Sequence, residues 1–188
     1  MSTKKGKIAE KQDIYNLKEE RYELIEDVRY EMLAAPSVRH QQLVTYLCKC
    51  IEDTCAPDGL VLTSPIDVKF DDKNEFQPDI VYISNENLHI VTEKKIIGAP
   101  DIIVEILSPS TSDNDKIRKK AVYERYGVKE YWIVDPTHLY VDQFIHKDGQ
   151  YILAKTYGKT DTLQSELFDC IKIDLEPVFK RLLVFDKE

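Results

Sequence analysis

The sequence has few glycines and no long apolar run, and each shortage excludes a class of protein. Six glycines among 188 residues do not suit a glycine-rich linker or a collagen-like repeat. No apolar stretch approaches the roughly 20 residues that span a bilayer. The first residues, MSTKKGKIAEKQ, also lack the apolar region of a signal peptide. We therefore expect a soluble, cytoplasmic protein with no membrane partner.

The cysteines do not show the spacing of a metal site. Cys48, Cys50, Cys55 and Cys170 form neither a CxxC pair nor a cysteine and histidine pattern for zinc. In a cytosolic protein such cysteines stay reduced. The sequence therefore predicts four free thiols.

The chain also has fewer basic than acidic residues. The chain carries 26 Lys and Arg against 34 Asp and Glu, which gives a net charge of −8. A protein this acidic is not a general binder of polyanions, so any contact with nucleic acid must use a local patch. The length fits one ordinary domain, which we place at 16–188 after a flexible segment at 1–15.

Hydrophobic periodicity predicts an α/β (α+β) domain, in which helices flank a mixed β-sheet. Ser37 is a suitable cap for the first helix, and Gly127 a suitable end for the second. The strand–helix–strand order over 101–134 favours a parallel crossover. The predicted elements are helices at about 37–53, 114–126 and 176–182, strands at 66–70, 79–83, 101–107 and 130–134, and a hairpin of 140–145 with 151–154.

Glu105 lies in the middle of the most apolar stretch, where a carboxylate is costly unless its charge is offset. Asp101 shares the face of Glu105 but lies on the order of 13 Å away along an extended strand. A neighbouring strand that begins at Asp79 would bring a second carboxylate beside Glu105. Two such carboxylates either share a proton or hold a divalent cation such as Mg²⁺.

The helix that follows carries Lys116, Lys119, Lys120 and Tyr123 at spacings that place cations along one face. A metal, a cation and a carboxylate pair are the minimum apparatus for hydrolysing a phosphodiester, because they polarise the phosphoryl group and stabilise its developing charge. Each feature also has a plainer interpretation. Asp79 and Asp101 suit turn or capping positions, Glu105 suits a buried ion pair, and the lysines suit a solvated helix face.

Four segments are distinctive together: YELI…YEM…APSVRHQQL, QPDIVYIS, GAPDIIVEILSPST and KKAVYERYGVKEYWIVDP. Between about Tyr22 and Phe179 they resemble the Uma-two family, a bacterial group classed with endonucleases. That family was long catalogued as a domain of unknown function and is abundant in cyanobacteria. The resemblance implies a restriction-endonuclease-like core of the PD-(D/E)xK type with an added C-terminal β-hairpin. It also implies metal-dependent hydrolysis of DNA phosphodiesters.

The resemblance also implies roles for single residues. Asp79 matches the first metal carboxylate and Glu105 the second, and together they would hold Mg²⁺ or Mn²⁺. The usual lysine of the motif falls on Leu107, so that part of the pattern is broken. Lys119, with Tyr123 four residues later, matches a lysine displaced onto the following helix. Lys116 and Lys120 are its nearby substitutes.

Three further polar residues match supporting positions of the family. Glu31 is an expected supporting residue and an extra metal ligand. His40 supports the site as well, its alternative being a solvent-facing residue in the first turn of a helix. Asp101 begins a strand, which suggests that it orients a loop rather than binding metal.

Other functions remain open beside a DNA endonuclease. The domain is alternatively a catalytically inactive module that binds nucleic acid or another partner, or a hydrolase of smaller phosphate esters. A third interpretation treats the acidic strand as a buried ion-pair network with no ligand. Restriction-endonuclease-like domains often act as dimers, and the apolar hairpin after Pro136 is a candidate interface for a homodimer.

Overall fold

The computed structural model describes residues 22–31, 35–108 and 114–183, with the backbone alone at 114–116. The predicted flexible segment 1–15 lies outside these ranges. The strands are β1 (Tyr22–Ile25), β2 (Val28–Glu31), β3 (Gly59–Thr63), β4 (Val68–Lys69), β5 (Glu75–Phe76), β6 (Ile80–Ser84), β7 (Ile96–Ile97), β8 (Ile102–Ile106), β9 (Glu130–Asp135), β10 (Tyr140–Lys147), β11 (Gln150–Gly158), β12 (Thr162–Gln164) and β13 (Lys172–Asp174). The helices are α1 (Val38–Cys55), a 3₁₀ helix (Asn85–Ile90), a π-helix (Asn114–Lys119), α2 (Lys120–Arg125) and α3 (Leu175–Lys180).

A six-stranded mixed sheet forms the centre of the fold, in the order β11-β10-β9-β8-β6-β3. Strands β8 and β9 are parallel, as the strand–helix–strand order predicts, and the other neighbours are antiparallel. Every residue of β8 is buried, which explains its β-branched, apolar composition. The fold is therefore the expected mixed sheet with flanking helices.

The two faces of this sheet are covered by different elements. Helix α1 packs on one face through Leu43, Leu47 and Ile51, together with the C-terminal strands and α3. The opposite face packs against α2 and a second sheet of short strands, in the order β2-β1-β5-β4-β7. Side chains alternate along β8, so Ile103 and Glu105 face this second layer while Val104 and Ile106 face α1.

Most of the predicted elements are present, with shifts at their ends. Ser37 caps α1 as expected, since its hydroxyl accepts a hydrogen bond from the His40 amide. The β10–β11 hairpin turns at Asp148 and Gly149, which both have positive φ. The strand expected at 66–70 is reduced to two residues, β4. The helix expected at 114–126 begins as a π-helix and becomes α-helical only at Lys120.

The prediction of four free thiols is wrong for two cysteines. Cys55 ends α1 and forms a disulfide with Cys170, which is 115 positions away in sequence. The C-terminal segment packs on α1 and places the two Cα atoms 5.3 Å apart, within the range of disulfide geometry. Local spacing cannot reveal a pair that tertiary packing assembles. Cys48 and Cys50 remain free, and burial raises the pKa of both thiols.

None of the helices in the described ranges combines the length and the apolar character needed to cross a bilayer.

Candidate active site

Asp79 and Glu105 meet where β6 begins and β8 nears its end. The two strands are antiparallel with Ile80 opposite Val104, so continuing the register by one residue puts Asp79 opposite Glu105. The amide of Asp79 lies 3.4 Å from Oε2 of Glu105. Asp79 and Glu105 are therefore neighbours on adjacent strands, as the sequence predicts.

Asp79 is held in place by the ends of two other elements. Its Oδ2 accepts a hydrogen bond of 2.8 Å from the amide of Ile106 and lies 3.0 Å from Nε2 of His40. His40 sits in the first turn of α1 and is 7% exposed. The alternative of a solvent-facing histidine is therefore wrong. The cap at Ser37 starts the helix where His40 reaches the strand.

Tyr123 anchors the carboxylate of Glu105. Its hydroxyl donates a 2.8 Å hydrogen bond to Oε1 of Glu105. The ring is fully buried and packs against Phe70, Phe76 and Tyr131. Burial, and next the nearby charge of Glu105, raise the pKa of Tyr123 well above its usual value, so the hydroxyl keeps its proton and remains a donor.

Lys119 is the lysine that reaches this carboxylate. Its Nζ lies 3.2 Å from Oε1 of Glu105, and the side chain is buried, so a solvated helix face is wrong for this residue. The ammonium of Lys120 instead lies 3.6 Å from the ring centroid of Phe144. The side chain of Lys116 falls outside the described part. The π-helix ends at Lys119, a type of local irregularity that often accompanies functional sites.

The structure adds Glu23, to which the sequence analysis assigned no role. Oε1 of Glu23 lies 2.9 Å from Nζ of Lys119 and accepts a 3.1 Å hydrogen bond from the amide of Gln77. The available signal was alternation in YELI, where Glu23 shares the buried face of Ile25. Glu31, the expected supporting residue, is exposed at the end of β2.

Strand register explains why the cluster includes Glu23 and not Glu31. Glu23 pairs with Tyr30 across the β1–β2 hairpin, so these two side chains share one face. Glu31 follows Tyr30 directly and therefore points to the other face. Among the described residues, the structure does not bring Glu31 to the cluster.

Asp101 lies at the opposite end of β8 and serves a different purpose. Its Oδ2 accepts a 2.7 Å hydrogen bond from the amide of Ser84, and Oδ1 lies 2.7 Å from Nζ of Lys129. Burial opposes ionisation of this carboxyl, but the contacts from Lys129 and Ser84 outweigh it and lower the pKa of Asp101. These contacts tie β8 to the end of β6, which suits the expected role in orienting a loop.

The donor set suits a hard divalent cation held by few protein ligands. Glu23 and Glu105 contact the ammonium of Lys119, and Asp79 lies beside Glu105 on the neighbouring strand. In the ranges described, no three His, Cys, Asp or Glu side chains are arranged as a complete metal cage. Mg²⁺ needs only one or two carboxylates and keeps several waters. Asp79 and Glu105, adjacent on neighbouring strands, are the residues that would hold it.

Comparison with known proteins places this fold in a structural class. A crystal structure described as a "putative nuclease belonging to DUF820 from Anabaena variabilis ATCC 29413" superposes with a TM-score of 0.71 and 18% identity, covering 92% of this chain and 98% of that one. The type IIG restriction endonuclease BpuSI matches at a TM-score of 0.39 and 14% identity, over 66% of this chain and 14% of that one, too weakly to define a fold. The chain therefore shares the α+β fold of the Anabaena variabilis structure.

The sequence itself matches a family model. Residues 9–176 match Uma2, described as "Putative restriction endonuclease", so the chain belongs to the Uma2 family. No curated protein matches the sequence. The family expected from the four distinctive segments is therefore confirmed.

Proposed function

We propose that this protein is a metal-dependent DNA endonuclease that hydrolyses phosphodiester bonds. The observation that carries the proposal is the meeting of Asp79 and Glu105 on adjacent strands, with the buried ammonium of Lys119 3.2 Å from Glu105. Burying this many charged groups is costly, because each ion must be taken out of water, and a functional site is one reason for a protein to keep them. Membership of a family described as "Putative restriction endonuclease" supports the same reaction.

Each residue of the cluster has a defined task in this proposal. Asp79 and Glu105 would hold Mg²⁺ or Mn²⁺, which when bound polarises a phosphoryl oxygen and lowers the pKa of a coordinated water. His40 and the Ile106 amide fix the orientation of Asp79. Lys119 supplies positive charge where the phosphoryl group gains negative charge. Leu107 leaves the usual lysine position apolar, and Lys119 compensates from the helix.

A substitution at Asp79 tests this function. We expect Asp79→Asn to reduce Mg²⁺-dependent cleavage by at least about a hundredfold, because it removes one of two metal carboxylates. Cleavage is measured on plasmid, single-stranded DNA and short nucleotides, with Mg²⁺ and with EDTA. Cleavage of short nucleotides alone would favour a hydrolase of small phosphate esters. DNA binding without any cleavage would favour an inactive module.

One observation favours a second candidate, a metal-free ion-pair network. Lys119 lies between Glu23 and Glu105, so Glu105 already has a cation in contact. This network predicts no change in melting temperature when Mn²⁺ is added. A metal site predicts stabilisation by ligand linkage. The two candidates are therefore separated by one thermal-shift measurement.

We extend the proposal to a homodimer, because two copies of the site would cut both strands of a duplex. The hairpin after Pro136 ends in β11, an edge strand of the six-stranded sheet. Ile152 and Leu153 on this strand are about half exposed. Sedimentation velocity tests the assembly, and a Leu153→Lys variant that sediments like the wild type would contradict this interface.

A further inference from the structure

Arg118 stacks on a tyrosine at the border of the candidate site. Its guanidinium carbon lies 5.1 Å from the ring centroid of Tyr30. Tyr30 pairs with Glu23 across the β1–β2 hairpin, and Glu23 contacts Lys119, the residue that follows Arg118. Both members of the stack therefore lie next to the buried site. Arg118 directly precedes Lys119 in the helix, and Tyr30 lies opposite Glu23, which contacts Lys119.

The stacked geometry leaves the binding edge of Arg118 available. An aromatic ring contacts the flat face of a guanidinium, whereas the N–H groups point outward in its plane. Arg118 is exposed, so this edge lies at the surface. A planar fork of N–H donors matches two oxygens of one phosphate.

Arg125 provides an internal contrast seven residues later. Its guanidinium also lies over a ring, 5.2 Å from the centroid of Tyr126. Its Nη2, however, forms an ion pair with Oε1 of Glu26 in the hairpin turn. Arg125 therefore uses its N–H edge to attach the hairpin to α2, whereas the exposed Arg118 forms no such ion pair with the described residues.

The charge of the cluster explains why a phosphate ligand needs Arg118. Glu23, Asp79 and Glu105 outnumber the ammonium of Lys119, and the chain as a whole carries a charge of −8. A polyanion that approaches this surface is repelled unless a cation stands at the rim. Arg118 places an always-charged group beside the site without neutralising the carboxylates inside it.

We propose that Arg118, positioned by its stack on Tyr30, binds a backbone phosphate of DNA adjacent to the bond that is cut. This inference rests on the proposed function, because it names how the same site takes hold of its substrate. The contact is with the backbone and is therefore independent of sequence.

Oligonucleotide binding tests the inference without interference from cleavage. Full-length protein with Glu105→Gln is titrated into a fluorescein-labelled single strand and its duplex, and anisotropy gives the Kd at several KCl concentrations. We expect Arg118→Ala to weaken binding roughly tenfold at low salt. The slope of log K against log salt should fall by about 0.7 for the single strand and about 0.9 for the duplex.

Matched variants separate a phosphate contact from general charge. Arg125→Ala removes the same charge and should leave the slope of its parent unchanged. Arg118→Lys should retain most of the slope but lose affinity, because an ammonium cannot form the planar fork. Equal Kd values and slopes for Arg118→Ala and Arg125→Ala would overturn the inference.

The outcomes also separate this inference from the proposed nuclease. Binding that depends on Arg118, in a wild-type protein that cuts nothing, would support the phosphate contact and contradict the nuclease. If instead Arg118→Ala leaves both DNA cleavage and the Kd at their wild-type values, the nuclease would be supported and the phosphate contact contradicted. Circular dichroism of each variant verifies that the fold is retained.

Discussion

Glu105 and Glu130 are buried glutamates on neighbouring parallel strands, but their carboxylates have different kinds of partner. Glu105 lies near the end of β8 on the face of the second sheet, and its carboxylate contacts Lys119 and Tyr123. Glu130 begins β9 and belongs to the other end of the sheet. Both side chains are nearly inaccessible to solvent, so burial alone does not distinguish a site from a structural residue.

The partners of Glu130 are all neutral donors. Its Oε2 accepts from Trp132 Nε1 at 2.9 Å and from Gln143 Nε2 at 3.1 Å. Its Oε1 accepts from the hydroxyl of Ser165 at 2.6 Å and the amide of Leu167 at 3.0 Å. Four hydrogen bonds from three separate segments make Glu130 a structural connector between β9, β10 and the C-terminal strands.

The contrast lies in the charge around each carboxylate. Four neutral donors satisfy both oxygens of Glu130, and no second carboxylate takes part in these hydrogen bonds. Glu105 instead shares its surroundings with Asp79 and Glu23, and like charges are brought together only where a cation compensates them. The surroundings of Glu130 are those of a structural residue, whereas those of Glu105 fit the proposed metal site.

The largest expected effect is on catalysis. Glu105→Gln should lower Mg²⁺-dependent DNA cleavage by at least about a hundredfold, since it removes a metal carboxylate and part of the charge at the reaction centre. Glu130→Gln should cleave at close to the wild-type rate per folded molecule. Plasmid cleavage under single-turnover conditions measures both. Unchanged cleavage by Glu105→Gln would refute the site.

The reverse ranking is expected for stability. Glu130→Ala leaves four donors without their acceptor and should lower the free energy of unfolding by about 3–5 kcal/mol. Glu105→Gln should lower it by less, because Lys119 keeps Glu23 as a partner. Urea denaturation followed by circular dichroism gives both values. A smaller loss for Glu130→Ala than for Glu105→Gln would contradict the structural role of Glu130.

Metal binding sharpens the same contrast. Mn²⁺ at a hundred times its Kd should stabilise the wild type and Glu130→Gln by about 2.7 kcal/mol, and should leave Glu105→Gln unaffected. Differential scanning fluorimetry with Mn²⁺ and with EDTA measures the shift. Equal shifts in all three proteins would place the metal elsewhere.

Glu23 tests whether the two carboxylates around Lys119 are equivalent. Glu23→Gln should cost about 1–2 kcal/mol of stability, because Lys119 loses one charged partner and keeps Glu105. Cleavage should fall less than in Glu105→Gln, since Glu23 is assigned no metal. Paired measurements of unfolding free energy and cleavage rate check both expectations. A loss of Mn²⁺ stabilisation in Glu23→Gln would make Glu23 a metal ligand instead.

Asp101 should show the smallest effect and a defined pH dependence. Its pKa is lowered in the folded protein, so its ionised form stabilises the fold above the unfolded pKa of about 3.9. That contribution disappears as the pH falls through the lowered folded value. Asp101→Asn should therefore cost about 1 kcal/mol or less near neutral pH, and the difference should vanish in acid. Melting temperatures of both proteins across the acid range measure it, and a difference that grows in acid would contradict the sign.

Much of the central sheet was predictable because its signals are local. The apolar stretch around Glu105 predicts a fully buried strand, and Asp148-Gly149 predicts the hairpin turn that forms there. The adjacency of Asp79 and Glu105 was also expected, from two predicted neighbouring strands and from the family resemblance. The second sheet did not follow, since β4, β5 and β7 have two residues each and leave no period to detect.

The sequence by itself determined that this acidic chain carries a carboxylate inside an apolar strand, followed by a helix rich in lysine. Its excess of acidic over basic residues also required any nucleic-acid contact to be local. Only the tertiary structure decided which lysine reaches Glu105, that Glu23 joins it in place of Glu31, and that Cys55 pairs with Cys170. Those choices depend on contacts between segments far apart in sequence, and packing and strand register, not local propensity, determine such contacts.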